Sequence, residues 1–283
     1  MSADAGNTAK QEVKVIYGDD NRMEIFEALN PKYIELARST AAQIDTKNLV
    51  RARKDGKENF RVIGQTLFQI GLCATEKYSH QVAGARCSGF IVANDLLVTA
   101  GDCVRDLEDC SKYSWIFDYK VASSIDTSVN ITSDNIFHCK EIVARSPDNG
   151  TQDNYALIRL DRIVKNRTPL SFRIEGIIPD DAKLFTIGHP IGLPAKLAGN
   201  AKIRNNKFEK FFVTDLDTYG GNSGSAVFNA ETYQVEGIFV RGEDDFVFNP
   251  QANCSESRVC ANDSCRGEDV TRITNFKVLK FLK

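Results

Sequence analysis

Short apolar runs separated by turn residues dominate the chain from Phe60 onward. Such runs, bounded by turn residues, are typical of β-strands. They fall into two sets of six, with a connector at Arg162–Pro179 between them. The first set is Leu67–Cys73, Cys87–Val92, Leu96–Ala100, Trp115–Tyr119, Glu141–Ala144 and Ala156–Leu160. The second is Lys183–Ile187, Ala201–Ile203, Phe211–Thr214, Ala226–Phe228, Val235–Val240 and Thr271–Ile273. This spacing predicts an all-β barrel or sandwich.

Outside these sets the pattern changes. Asn21–Ala42 is the best helical candidate, and Pro31 is expected to interrupt it. The polar stretch Met1–Lys14 predicts disorder, and the charged stretch Asp45–Asn59 predicts a loop. At the other end, the apolar segment Val278–Leu282 predicts a short closing helix.

Composition and charge exclude several functional classes. The 283 residues allow one large domain or two small ones, and 42% hydrophobic with 26% charged residues is ordinary for a globular protein. A net charge of -2 gives no electrostatic basis for binding nucleic acid or an anionic membrane. No apolar run is long enough to span a bilayer.

The eight cysteines indicate disulfides in an oxidising compartment. Metal binding is the weaker interpretation, because the chain has three histidines and no C-x-x-C pair. We expect bridges Cys110–Cys139 and one within Cys254–Cys265. A secreted protein should begin with a signal peptide, so we interpret the polar start as a mature chain with an added methionine.

One segment, Asp215–Phe228, carries candidate chemistry. It reads DLDTYGGNSGSAVF and places Ser223 on a glycine-rich turn before an apolar run. Glycines permit unusual backbone dihedrals and close approach of a ligand. Backbone N–H groups exposed at such a turn can stabilise an oxyanion. Taken alone, a cluster of Gly, Asn and Ser is more often a plain turn.

Two further segments change that interpretation. Cys87–Val92 leads through Leu96–Gly101 to Asp102 and Cys103, and Asn154–Leu160 follows later. In this order and spacing, the three segments resemble the trypsin-like serine peptidases, and more narrowly the bacterial glutamyl-endopeptidase-like, or V8-like, branch. The resemblance extends from about Val15 to Phe276.

This resemblance implies a fold and a domain division. The expected fold is all-β, with two six-stranded antiparallel β-barrels, an N-terminal extension and a short C-terminal helix. The expected divisions are an extension over 1–42, an N-terminal barrel over 43–165 and a C-terminal barrel over 166–283. The resemblance also implies a disulfide between Cys87 and Cys103.

The sequence departs from the family at two catalytic positions. The family reads T-A-G-H-C around its base, whereas Asp102 stands in the histidine position here. Asn154 stands in the position of the family's aspartate, with Asp153 one residue earlier, and Ser223 alone matches. Aspartate has an ordinary pKa of about 3.9, so it is a weak base at neutral pH. The resemblance therefore implies a degenerate catalytic triad.

The changes at positions 102 and 154 compensate each other electrostatically. A carboxylate at both positions would force one pKa upward by like-charge repulsion. Asn154 removes that repulsion, and its amide can donate to Asp102, as can the Ser223 hydroxyl. This pairing favours a natural pseudoenzyme over a laboratory knock-out. The histidines offer only remote substitutes: His80 and His138 rank first, while His189 belongs to a turn.

The remaining cleft residues indicate conflicting preferences for the substrate side chain. By resemblance, Gly221 and Ser223 supply the oxyanion-hole N–H groups, and Val240-Arg241-Gly242 pairs with substrate backbone. Asp217 matches the pocket floor of members specific for basic residues, whereas Arg241 suits an acidic side chain. Alternatively, Asp217 caps a turn and Arg241 is a solvated charge.

The sequence therefore predicts a secreted or periplasmic peptidase homologue without proteolytic activity. It would bind a peptide or protein in the retained cleft, shielding a substrate or regulating an active relative. Two alternatives stay open: an active serine endopeptidase with an atypical base, or an inactivated form of a protein with histidine at position 102. We expect no cofactor, metal, nucleic acid or membrane partner, and the oligomeric state is open.

Overall fold

The computed structural model describes residues 16–54, 57–147, 152–261 and 264–282. Met1–Lys14, for which the sequence predicts disorder, lies outside them. Twelve strands of the described residues build two barrels. The first barrel contains β1 (Thr40–Asp45), β2 (Ala85–Ala93), β3 (Leu96–Thr99), β4 (Tyr113–Phe117), β5 (Ile136–Ser146) and β6 (Tyr155–Leu160). The second contains β7 (Lys183–Gly188), β8 (Lys196–Asn205), β9 (Phe211–Thr214), β10 (Ala226–Asn229), β11 (Val235–Arg241) and β12 (Glu268–Arg272).

Both barrels close with the same strand order. In the first, neighbours run β1-β2-β3-β6-β5-β4, and β4 pairs back to β1. In the second they run β7-β8-β9-β12-β11-β10, and β10 pairs back to β7. Every pairing in the two rings is antiparallel. The predicted all-β fold of two six-stranded antiparallel barrels is confirmed.

The strand predictions fail at the start of the first barrel. Leu67–Cys73 forms turns rather than a strand, and β1 (Thr40–Asp45) takes the sixth place in the ring. The helical prediction over Asn21–Ala42 is also wrong at both ends. Pro31 begins the only α-helix of that region, α1 (Pro31–Ala37), because Asn30 caps it by accepting from Lys32 N at 2.9 Å.

The described residues also form shorter elements. A second helix, α2, spans Leu107–Lys112, and 3₁₀ turns occur at Ile25–Glu27, Thr46–Asn48, Ser133–Asn135, Pro190–Gly192, Ile273–Asn275 and Lys277–Leu282. The remaining strands are Ile16–Tyr17, Met23–Glu24, Leu49–Lys54, Lys57–Val62, Gln65–Thr66, Val82–Ala83, Asn130–Thr132, Phe246–Asn249, Cys254–Ser257 and Val259–Cys260.

Two smaller predictions have different outcomes. The charged stretch Asp45–Asn59 is not a loop, since Leu49–Lys54 pairs with Lys57–Val62 as a hairpin. The closing helix predicted at Val278–Leu282 is present as the 3₁₀ turn Lys277–Leu282. Within the part of the chain described, no helix is both long and apolar enough to cross a membrane.

One apolar cluster joins the two barrels. It contains Phe90 and Leu157 from the first barrel, and Ile187 and Phe228 from the second. Each of these four side chains is fully buried. Burial of shared apolar area holds the barrels together, which fixes the groove between β2 and the turn before β10.

Four disulfides link the described cysteines. The predicted bridges Cys87–Cys103 and Cys110–Cys139 are confirmed, and Cys260–Cys265 is the bridge expected within Cys254–Cys265. Cys73–Cys254, with a sequence separation of 181, is not foreseen from the sequence. It ties the loop before β2 to the hairpin Phe246–Ser257, and therefore links the two barrels covalently.

This long-range bridge should contribute more stability than the shortest one. Chain-entropy arguments give roughly 3 kcal/mol more for a closed loop of this length than for the five-residue loop of Cys260–Cys265. We expect Cys73→Ser/Cys254→Ser to lower the free energy of unfolding by that much more than Cys260→Ser/Cys265→Ser. Equal losses in denaturant titrations of the two variants would contradict this expectation.

Candidate active site

The turn that carries Ser223 fits closely against β2. Gly221 and Gly224 have φ of +88° and +92°, a region that favours glycine. A Cβ at Gly221 would lie 2.4 Å from His189 O, and one at Gly224 would lie 2.1 Å from Ser88 O. Ser88 N donates to Ser223 O at 2.9 Å, and Ser88 Oγ donates to Gly221 O at 2.8 Å. The turn therefore has one backbone conformation, imposed by its neighbours.

The Ser223 side chain is half-buried at the edge of this turn. Its Oγ donates to the carbonyl of Val240 at 3.4 Å, which is long for a hydroxyl hydrogen bond. Val240 lies on β11, where the sequence predicts a strand that pairs with substrate backbone. The serine and this strand edge are therefore neighbours.

Asp102 and Asn154 meet because β3 and β6 are antiparallel neighbours. Thr99 pairs with Ala156, so the end of β3 lies beside the start of β6. Gly101 N donates to Asn154 Oδ1 at 2.6 Å, and Asn154 Nδ2 donates to Asp102 Oδ2 at 2.6 Å. Since the amide oxygen is taken by a backbone N–H, the amide nitrogen is directed at the carboxylate.

This hydrogen bond is the contact that the sequence predicts for the pair. Asn154 is 2% exposed, whereas Asp102 is exposed to solvent. The further expected bond, from the Ser223 hydroxyl to Asp102, stays a prediction. Asp153, the alternative acid, instead accepts from Asn275 Nδ2 at 2.5 Å.

The three histidines have other surroundings. His189 is 1% exposed, its Nδ1 lies 3.0 Å from Leu193 O, and its ring stacks on Tyr119. Burial lowers the pKa of His189 to about 3, so the ring is neutral. His138 lies on β5 with its Nδ1 3.3 Å from Ser114 Oγ, and the ring of His80 faces Phe68.

Asp217 lies beneath the N-terminal segment. Its carboxylate is 1% exposed and accepts from Tyr17 N at 2.8 Å and from Asn21 N at 3.1 Å. Burial raises the pKa of Asp217 to about 6, although these two hydrogen bonds act in the opposite direction. Both carboxylate oxygens thus accept from backbone N–H groups of the same chain, as the side chain of a capping residue does.

A second carboxylate, which sequence reasoning missed, lies between the turn and β11. Glu268 is fully buried, and its Oε2 accepts from Thr218 Oγ1 at 2.6 Å. Its Oε1 accepts from Glu243 N at 3.2 Å. A Cβ at Gly242 would lie 2.0 Å from Glu268 Oε2, so the carboxylate occupies the space beneath that glycine. An acidic residue opening a strand that is otherwise buried is the one sequence signal for it.

Asp245 bridges the two walls of a slot, which we define as the space between residues 218–220, before Ser223, and residues 242–245, after β11. Its Oδ2 accepts from Gly220 N at 2.9 Å, and the neighbouring rings of Tyr219 and Phe246 stack at 5.2 Å. These contacts connect the turn before Ser223 with the hairpin after β11. The slot between the two walls is therefore filled and closed by side chains of this chain.

Arg241 is held in an ion pair rather than solvated. Its Nε donates at 2.6 Å to Oδ2 of Asp269, which is fully buried, and Arg266 donates to the same oxygen. The alternative interpretation of Arg241 as a solvated charge is therefore wrong. Any part it has in recognising an acidic side chain stays a prediction.

Comparison with known proteins agrees with this geometry. The model of the trypsin-like peptidase domain matches residues 87–238, which is more than half of the chain. The chain therefore belongs to the trypsin-like peptidase family. No curated protein matches the sequence.

Two solved structures show the extent of the likeness. A Glu endopeptidase in complex with MPD is 15% identical, with a TM-score of 0.53, over 95% of this chain and 99% of that chain. The inactive form of a serine-to-alanine mutant of Rv3671c from M. tuberculosis H37Rv is 13% identical, with a TM-score of 0.47, over 95% of this chain and 96% of that chain. The first likeness supports the double-barrel fold.

The Asp102–Asn154 contact predicts the behaviour of Asn154→Asp. The new carboxylate would face Asp102, and repulsion would raise its folded pKa above the unfolded value. Stability is then lost as pH rises through the raised pKa. We expect the variant to be less stable than the wild type by about 1–2 kcal/mol at pH 7 and to recover below about pH 5.

The control is Asp102→Asn/Asn154→Asp, which has one carboxylate and no repulsion. Its unfolding free energy, measured by denaturant titration at several pH values, should lack the recovery at low pH. A deficit in Asn154→Asp that does not change with pH would refute the contact.

Asp217 should make the free energy of unfolding depend on pH. Its folded pKa of about 6 lies above the ordinary value of 3.8, so ionisation favours the unfolded state. Relative to Asp217→Asn, the wild type should lose up to about 3 kcal/mol of stability as pH rises from about 4 to 6, and then level off. Parallel stability curves for the two proteins would show that burial does not perturb this carboxyl.

Proposed function

We propose that this chain is a trypsin-like peptidase homologue that binds a peptide or protein in its cleft without cleaving it. The observation that carries the proposal is the 2.6 Å hydrogen bond from Asn154 Nδ2 to Asp102 Oδ2. Asp102, in the base position, thus accepts from a neutral amide, and the oxygen of that amide accepts from Gly101 N. In this proposal, Asp102 and Asn154 stand in the positions of the family's base and acid.

The chemistry of acyl transfer supports this proposal. A serine becomes nucleophilic when a base accepts its proton, and a base with a pKa near neutrality suits that step. A carboxylate that accepts from an amide has no proton to relay and little basicity at neutral pH. In well-studied triads, removal of the base lowers kcat by roughly a million-fold.

The histidine environments support it further. His189 is buried, neutral and directed at Leu193 O, and His138 contacts Ser114 on the neighbouring strand β4. His80 faces the ring of Phe68. Each imidazole thus has its own local contacts, so the atypical-base alternative lacks a candidate with matching geometry.

The parts of the cleft that bind a peptide backbone are retained. Within the described residues no acceptor takes the Gly221 N–H, which leaves a donor for a ligand carbonyl. The edge of β11 at Val240 lies beside Ser223. Because Glu268 and Asp245 fill the adjacent slot, recognition falls on the ligand backbone rather than on a deeply inserted side chain.

The branch and the compartment are part of the same proposal. We assign the chain to the V8-like branch on its N-terminal segment and its GGNSGS turn. The four disulfides support a secreted or periplasmic location, because such bridges persist in oxidising compartments.

A randomised peptide mixture tests binding and cleavage together. The protein is incubated with the mixture at pH 7, bound peptides are recovered by gel filtration, and their masses are measured. We expect a subset of intact peptides on the wild type. Ser223→Trp, which places an indole in the groove, should retain none of this subset.

Asp102→His/Asn154→Asp serves as the comparison for cleavage, since it rebuilds the family's base and acid. Intact peptides on the wild type support the proposal whether or not this variant cleaves. Cleaved products from the wild type, absent with Ser223→Ala, would replace it by the active endopeptidase. Equal peptide recovery from the wild type and Ser223→Trp would remove the cleft as the binding site.

A further inference from the structure

A basic cavity of about 700 Å³ lies on the first barrel, among residues that make none of the contacts of the Ser223 turn. It is bordered by the end of α1, the turn after β4, the 3₁₀ turn before β5 and the connector that follows β6. Its charged lining consists of Arg38, Arg162, Lys165, Arg167, Asp118 and Asp134. Cations therefore outnumber carboxylates by four to two.

Arg167 forms the rigid part of this lining. Its side chain is 6% exposed, and its guanidinium lies 4.9 Å from the centre of the Phe117 ring. It donates to Arg38 O at 2.7 Å and to Asp118 Oδ2 at 2.7 Å. Although burial acts to raise it, the pKa of Asp118 lies below its ordinary value because of Arg167. This carboxylate is thus ionised and already paired.

The other guanidinium groups are oriented by backbone carbonyls. Arg38 Nη2 donates to Asn166 O at 2.6 Å. Arg162 Nη2 donates to Ile136 O at 2.6 Å, and its guanidinium lies 4.0 Å from the centre of the Phe137 ring. Since these contacts fix the side chains beforehand, an anion that binds them loses little conformational entropy.

Arg38 and Lys165 are cations at the rim of the cavity. Across the ranges that the structure describes, neither Arg38 nor Lys165 forms an ion pair with a carboxylate. Both side chains are exposed. Their charge is therefore available to a ligand, and it comes from two elements that border the cavity: the end of α1 and the connector after β6.

We propose that this cavity binds a compact organic anion that carries at least two phosphate or sulfate groups. Its volume falls within the range of about 300–1,000 Å³ that is typical of small-molecule sites. The planar fork of arginine suits tetrahedral oxyanions, and lysine adds a point charge. Two or more anionic groups match the excess of four cations over two carboxylates in the lining.

Isothermal titration calorimetry of the full chain tests the site with two probes. Inorganic tripolyphosphate represents phosphate, and sucrose octasulfate represents sulfate on a sugar. We expect binding of at least one probe, weakened at least about tenfold by Arg38→Gln/Lys165→Gln, since two positive charges of the lining are removed. The preferred probe identifies the anionic group.

Arg51→Gln/Lys280→Gln is the matched control, because it removes the same two residue types from exposed positions outside the cavity. It should change affinity less than about twofold. Asp134→Asn removes a repulsive charge from the lining and should tighten binding about two- to fivefold. Absence of binding, an equal loss in the control, or weaker binding by Asp134→Asn would each overturn the proposal.

Discussion

The close backbone contact between β2 and the serine turn is the constraint on which the site depends. Ser88 contacts this turn through both its backbone N–H and its hydroxyl. The space left at Gly221 and Gly224 is too small for any side chain. Because the turn belongs to the second barrel and β2 to the first, this contact and the shared apolar cluster set the groove. A chain with a different catalytic chemistry, or none, retains the same need for these glycines.

Polar contacts within the chain surround the groove. The Asn154 amide accepts from Gly101 N and donates to Asp102 Oδ2. Glu268 and Asp245 fill the adjacent slot by accepting from groups on both of its walls. Buried polar groups are costly unless they are hydrogen-bonded, so such pairs stabilise a closed slot. The arrangement suits recognition of a ligand backbone at the surface of the groove.

Much of the fold can be predicted from the sequence, because barrel strands are short apolar runs separated by turns. The strand Phe211–Thr214 has the bounds that the sequence predicts. The strand β1 is not predicted, because its start falls in the predicted helix Asn21–Ala42 and its end in the predicted loop Asp45–Asn59. The Asn154–Asp102 contact was predictable because strand pairing brings those positions together in the family. Glu268 and the Cys73–Cys254 bridge were not, since each depends on contacts between segments far apart in sequence.

The most direct test of the central claim is the nucleophilicity of Ser223. A fluorophosphonate reagent reacts with activated serines and requires no knowledge of a substrate. The protein and Ser223→Ala would be exposed to it at neutral and alkaline pH, and intact masses compared. The account predicts no adduct on either protein, because Asp102, in the base position, is a carboxylate that accepts from the Asn154 amide. A stoichiometric adduct on the wild type, absent from Ser223→Ala, would show that some group still activates this serine and would contradict the account.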